Sequence, residues 1–207
     1  MSGAGFEHLA DLARTITCIL LMGGVIRLMD DFLDLRYDVF EGVETLATRL
    51  GEGTLPYSLI GFALAVMLDA QTAAALMVGA YAVGMAGDFD RQLPSGLVGY
   101  QEGGITLLVA LLFLPLPTVL WSLFVMFSVQ VFDDLDDLIV DQRTGNPNIA
   151  RRWGIMEARM AALAALVASC LILPVETAVV FVAVPVVSWS CHAIARPIVK
   201  TRGWVRW

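Results

Sequence analysis

Two short stretches of this chain, 30–44 and 133–141, hold 11 of its 20 acidic residues. Asp30, Asp34 and Asp38 are four residues apart, and so are Asp133, Asp137 and Asp141. On a helix, residues at that spacing share a face, so each stretch predicts a row of carboxylates. Asp31 and Asp134 stand next to the first member of each row. An apolar run, "TITCILLMGGVI", leads into the first stretch, which places the row at the C-terminal end of a helix. Partial negative charge gathers there, and a carboxylate in the middle of a bilayer costs about 2.5–3.5 kcal/mol on insertion scales. A hard divalent cation is the natural compensation: magnesium takes one or two carboxylates plus phosphate oxygens and keeps some of its water. Two facing rows can hold two or three Mg2+ around a diphosphate. A solvated acidic loop explains one such cluster equally well, but not two clusters that match residue for residue.

The match is an internal repeat. "DDFLDLRYDVFEGVETLATRLG" (30–51) aligns without gaps on "DDLDDLIVDQRTGNPNIARRWG" (133–154), at an offset of 103 residues. Asp30, Asp31, Asp34 and Asp38 fall on Asp133, Asp134, Asp137 and Asp141, and Gly42, Ala47, Arg49 and Gly51 fall on Gly145, Ala150, Arg152 and Gly154. Asp136 falls on Leu33, lies off the shared face and reads as solvated.

The elements that position these rows must be membrane helices. The chain of 207 residues is 58% hydrophobic and 16% charged, with mean hydropathy +0.75, which leaves too little charged surface for a soluble domain. Seven spans fit the hydropathy, at 9–29, 54–68, 71–87, 103–115, 117–132, 155–173 and 175–195. Several fall short of the ~20 residues of a full crossing. "LDAQ", "PLP" and "LPVE" are too short for loops and read as helical-hairpin turns. The expected fold is therefore all-α: a polytopic membrane bundle of about seven helices forming one domain over 1–207, with pseudo-repeats at about 14–100 and 117–203. Four spans separate the motifs, so both emerge on one side and face each other across a central cavity; inverted-repeat transporters are built differently.

The three hairpin turns contain none of the 13 Lys and Arg residues, and all but Arg14 lie around the acidic stretches, in the middle loop or in the C-terminal tail. By the positive-inside rule both motifs and the C-terminus face the cytoplasm, the N-terminus lies outside, and the host is the cytoplasmic (inner) membrane. "MSGAGFEHLADLAR" is too polar for a cleavable signal, so the first apolar run stays as a helix. Cys18, Cys170 and Cys191 read as small buried hydrophobes, and His8 and His192 as isolated residues, with no disulfide framework or zinc site. Trp204 and Trp207 read as an interfacial anchor. Acid concentrated in this way makes nucleic acid an improbable partner.

"DDFLDLRYD" resembles the N/D-D-x-x-D-x-x-x-D motif of the UbiA-type intramembrane prenyltransferase superfamily, and "DDLDDLIVD" resembles its second D-x-x-x-D-x-x-x-D motif. The trailing D-x-x-x-G-x-x-[S/T/N]-x-A-x-x-x-G at Asp38–Gly51 and Asp141–Gly154 is also similar to that family. The resemblance implies a helical bundle in which Mg2+ bridges aspartates to an isoprenyl diphosphate whose tail runs into the membrane. Ionisation then gives an allylic cation that alkylates an aromatic or other lipophilic acceptor. By position, it implies Asp30, Asp34, Asp38, Asp133, Asp137 and Asp141 as metal ligands, with Asp30 in place of the usual Asn, and Asp31 and Asp134 as lesser catalytic candidates. Arg27, one turn before Asp30, and Arg91, in the middle loop, are the implied diphosphate clamps; the family's Lys in that loop is missing.

Arg49 and Arg152 read equally well as helix anchors at the membrane interface. The family usually has nine spans, so a seven-span chain leaves a side of the site to be covered by lipid, a partner or a second copy. A homodimer using the first span and the last two, with "AALAALVAS" as the close contact, is the expectation. Two other functions fit the same residues: an intramembrane terpene cyclase, in which the cation attacks its own double bonds, and a cation transporter using the acidic rows.

Overall fold

The computed structural model describes residues 3–35, 44–87, 92–145 and 148–195. Among these residues the fold is all-α, the sole β feature being an isolated bridge between Gln92 and Val98. The helices are α1 (Gly3–Leu33), α2 (Leu46–Leu50), α3 (Thr54–Leu68), α4 (Ala70–Gly87), α5 (Gly99–Phe113), α6 (Leu116–Asp136), α7 (Leu138–Thr144), α8 (Ile149–Trp153), α9 (Ile155–Ile172) and α10 (Pro174–Ala195), with a 3-10 turn at Gly51–Gly53. Five segments are long and apolar enough to cross a membrane: Glu7–Leu33, Leu46–Leu68, Leu116–Asp136, Ile155–Ile172 and Pro174–Ala195. Ala70–Ala86 and Gly99–Phe113 are apolar but shorter. Large apolar side chains such as Met67, Phe113 and Leu171 point outward, the pattern of a bundle solvated by hydrocarbon. This is a polytopic helical membrane protein.

The helices match the hydropathy spans closely, and α1 and α6 run on into the acidic motifs. All three short breaks are hairpin turns with a local cause. Asp69 ends α3 by donating its N–H to the Ala65 carbonyl at 2.9 Å. Its carboxylate then starts α4, accepting from the Thr72 N–H at 3.0 Å and the Thr72 hydroxyl at 2.7 Å. Pro115 and Pro117 open α6 and Pro174 opens α10, where a missing N–H costs nothing.

The repeat is visible in the backbone at the same offset. α1 ends at Leu33 and α6 at Asp136. α2 begins and ends 103 residues before α8. Thr45 and Asn148 are their N-caps, accepting from the Thr48 N–H at 3.3 Å and the Arg151 N–H at 3.1 Å. Gly51 and Gly154 end them at φ of +53° and +105°, values that strain any residue with a Cβ. Ala47 and Ala150 are buried between. The spaced [S/T/N], Ala and Gly of the trailing motif are thus a cap, a small buried contact and a stop.

α1 packs on α3 and α6 on α9, while α4 and α10 each touch both α1 and α6 and join the halves. Small buried residues, Ala65, Ala73, Ala162 and Ala183, allow close approach. Gly79 of α4 lies directly on the backbone of Ser122 in α6. Met22, Leu76, Trp121 and Val125 pack in one buried core, and the Trp121 indole N–H donates to Thr177 at 2.9 Å. Within "AALAALVAS", Ala162, Ala165 and Ser169 are buried, and the Ser128 hydroxyl donates to the Ala162 carbonyl at 3.0 Å. Those positions of the expected dimer contact are engaged inside the chain. Of the three free cysteines, Cys18 is buried, Cys191 half-buried, and Cys170 exposed on the outer surface; the last departs from the buried position expected of it.

Candidate active site

The second row is continuous through a break in the helix. α6 stops at Asp136 and α7 starts at Leu138, yet the Asp137 N–H still bonds the Asp133 carbonyl at 2.9 Å. The Asp141 N–H bonds the Asp137 carbonyl, also at 2.9 Å. These linked turns keep Asp133, Asp137 and Asp141 in helical register. In the first half the Asp34 N–H bonds the Asp30 carbonyl at 3.0 Å in the same way. Asp38 and Arg91 lie outside the described residues.

Arg27 connects the two rows. Its Nε is 3.1 Å from Asp31 and its Nη1 4.0 Å from Asp30, both in its own half. Asp133 and Asp137 of the other half also lie within its electrostatic reach, and Asp133 feels Asp30 directly. Arg27 thus contacts Asp30 and Asp31 in its own half, and its charge and that of Asp30 also act on the second row, at Asp133. Asp34, Asp136 and Asp137 are exposed. Although Asp137 is exposed at the surface, its carboxyl is held above the usual carboxylate range by the desolvation of its packed side and by the neighbouring Asp141 carboxylate, with Arg27 acting in the opposite direction.

Asp31 and Asp134 differ from the rows beside them: both are buried, at 7% and 8% exposure. Asp134 accepts from the Ile149 N–H at 2.6 Å and from Gln130 Nε2 at 3.2 Å, so its carboxylate holds the first turn of α8. Asp31 is held by Arg27, which stands where the second half has Gln130. Asn148 was missed in the sequence reading, although the [S/T/N] position of the trailing motif marked it. Its amide nitrogen donates to the Asp134 carbonyl oxygen at 2.6 Å and to Asp141 Oδ2 at 2.7 Å. Arg49, read as an interface anchor, has a more specific partner: its guanidinium donates to the Ile194 carbonyl at the C-terminal end of α10.

Beside the packed core of Met22, Leu76, Trp121 and Val125 lies an apolar cavity of about 550 Å³. α4, α5, α6 and α9 form it, with Ala82, Leu107, Phe124, Phe127 and Ala164 among the lining residues, none of them polar. Phe127 also packs against Trp153 of α8, ring centroids 6.1 Å apart, which joins the cavity wall to the second motif.

The donor chemistry fits magnesium. Every candidate ligand is a carboxylate oxygen, and no nitrogen or sulfur ligand lies in either row. Among the described residues, no three His, Cys, Asp or Glu side chains converge tightly enough to cage an ion. Magnesium does not need such a cage, since one or two carboxylates, phosphate oxygens and water complete its shell. Compared with protein-family models, curated proteins and solved structures, the chain matches none.

Proposed function

We propose that this protein is an intramembrane, Mg2+-dependent prenyltransferase that ionises an isoprenyl diphosphate at the cytoplasmic ends of α1 and α6 and passes the prenyl group to a lipophilic acceptor. The observation that carries the reading is the meeting of two repeated carboxylate rows around one arginine at the end of an apolar bundle. Paired acidic rows with a cation between them suit a ligand that brings its own negative charge together with metal. Asp30, Asp34, Asp133, Asp137 and Asp141 would hold two or three Mg2+, and Asp38 completes the first row in sequence. Bound there, the metal supplies charge neutralisation of the departing diphosphate.

The chain's own residues do the remaining work. Arg27 donates to diphosphate oxygens from between the rows, anchored by Asp31 so that its position does not depend on substrate. Arg91 is the second clamp from the middle loop. The apolar side cavity supports a substrate with a long hydrocarbon tail, and its lining offers no nucleophile to an allylic cation. That last observation favours a second reading, a terpene cyclase that needs no acceptor. The transporter reading fits less well, because transport sites lie near the bilayer midplane and these rows lie at helix ends.

The test is an incubation of the purified protein with isoprenyl diphosphates of several lengths and Mg2+. Release of pyrophosphate that stops on chelation is the expected result. A hydrocarbon or terpene alcohol formed from the diphosphate alone selects the cyclase. Absence of metal-dependent pyrophosphate release with any chain length, with and without lipophilic acceptors, refutes both.

A further inference from the structure

We propose that Asn148 is a positioning residue for the second aspartate row, fixing Asp141 so that one of its carboxylate oxygens is presented to a divalent cation. The inference rests on the reading of Asp141 as a metal ligand.

Asn148 is 8% exposed, and both ends of its amide are hydrogen-bonded. The oxygen caps α8, accepting from the Arg151 N–H at 3.1 Å. The nitrogen divides its two hydrogens between the Asp134 carbonyl at 2.6 Å and Asp141 Oδ2 at 2.7 Å. α6 therefore holds the amide from one side, and the amide holds Asp141 from the other. The support is itself braced: the Asp134 side chain, steadied by Gln130 of the same helix, accepts from the Ile149 N–H at 2.6 Å, so with the amide bond the start of α8 is tied to the end of α6 at two points. Arg151 ties α8 to α7, donating from its guanidinium to the Asp141 carbonyl at 3.1 Å.

This arrangement acts on Asp141 specifically. A donor on Oδ2 fixes the carboxylate's rotation and reduces its charge without neutralising it, leaving the second oxygen to bind. Partners of this kind behind a ligating group typically change metal affinity by about 10- to 100-fold when removed. The repeat provides the means to separate this role from capping. Thr45 occupies the equivalent place in the first half and caps α2 with its hydroxyl. A threonine at 148 keeps a cap already used in this chain and loses the amide donor to Asp141.

The experiment uses the full-length protein in detergent with inorganic pyrophosphate and Mn2+ as the probe, free Mn2+ being read by its paramagnetic resonance signal. Asn148→Thr is expected to weaken Mn2+ binding by about 10- to 100-fold. Pyrophosphate release from the isoprenyl diphosphate should need correspondingly more metal and recover at saturation. If Asn148→Thr does not fold, Asn148→Ser carries the same comparison. Mn2+ binding as tight as wild type in the threonine or serine variant, with Asp141→Asn weakened, overturns the positioning role. So does a rate that stays low at every metal concentration, since that is the mark of a capping defect. Wild-type Mn2+ binding by Asp141→Asn overturns the ligand reading of Asp141, and the inference with it.

Discussion

At Gly79 α4 of the first half packs directly on the backbone of α6 in the second, and its substitution tests how the aspartate rows are held. A Cβ built at Gly79 meets the Ser122 carbonyl oxygen at 2.7 Å and the Ser122 carbonyl carbon at 2.9 Å. Both atoms belong to the α6 backbone, so no rotamer change relieves the clash. Opening 2.7 Å to an ordinary 3.4 Å contact requires α4 and α6 to part by about 0.7 Å. Overpacking of this kind costs about 1–3 kcal/mol, against a gain of about 0.5–1 kcal/mol from replacing glycine in a helix. At about 2–4 °C per kcal/mol for a chain of this size, Gly79→Ala should lower the unfolding temperature by several degrees.

Two other glycines calibrate the result. At Gly61 the nearest obstacle is a methyl of Val25 at 2.8 Å, a side chain that can turn, so Gly61→Ala should be milder. At Gly84 nothing lies within 4 Å, and Gly84→Ala should be neutral or slightly stabilising. Because α6 carries Asp133 and leads directly into Asp137, Gly79→Ala should also slow pyrophosphate release; a misplacement near 1 Å can cost about 100-fold. The assay is thermal unfolding in detergent followed by size-exclusion chromatography, run beside turnover. Adding Ser122→Ala should not rescue Gly79→Ala, since the closest clash is with the carbonyl. A Gly79→Ala protein at least as stable as Gly84→Ala would refute the reasoning.

Asp34→Ala and Asp137→Ala should each abolish metal-dependent pyrophosphate release while the protein stays folded and extractable, and Asp136→Ala should be nearly silent; an Asp136 as critical as Asp137 would break the repeat alignment. Arg27→Gln copies the Gln130–Asp134 bond of the other half, so it should preserve stability and lose pyrophosphate affinity, and unchanged affinity measured by calorimetry would remove Arg27 from the clamp. Ala164→Phe, which fills the side cavity from an exposed position, should shift preference toward shorter isoprenyl diphosphates, and an unchanged profile of chain lengths would exclude that cavity as the tail's seat. A cysteine at Gln71 should react with an impermeant thiol reagent from outside the cell, whereas labelling at Thr201 instead would invert the topology.

What the sequence by itself determined is what is local. Hydropathy located the helices because a membrane span must bury its backbone in one continuous apolar run. The fourfold spacing of Asp133, Asp137 and Asp141 predicted a row because i to i+4 neighbours stack whether or not one helix runs through them, and the hydrogen bonds do continue across the break at Asp137. The repeated cap, alanine and glycine around α2 and α8 were equally local, since each is set by backbone geometry at one place. Tertiary structure decided which of two adjacent aspartates does what. Asp133 and Asp134 are alike in sequence, but only Asp134 meets the first turn of α8, and an N–H without a partner there captures its carboxylate. The same holds for Arg27, whose meeting with Asp133 and Asp137 depends on α4 and α10 spacing α1 from α6. Where open space remains was tertiary as well: Trp121, Met22 and Leu76 pack into one buried core, and the apolar cavity lies where α4, α5, α6 and α9 meet.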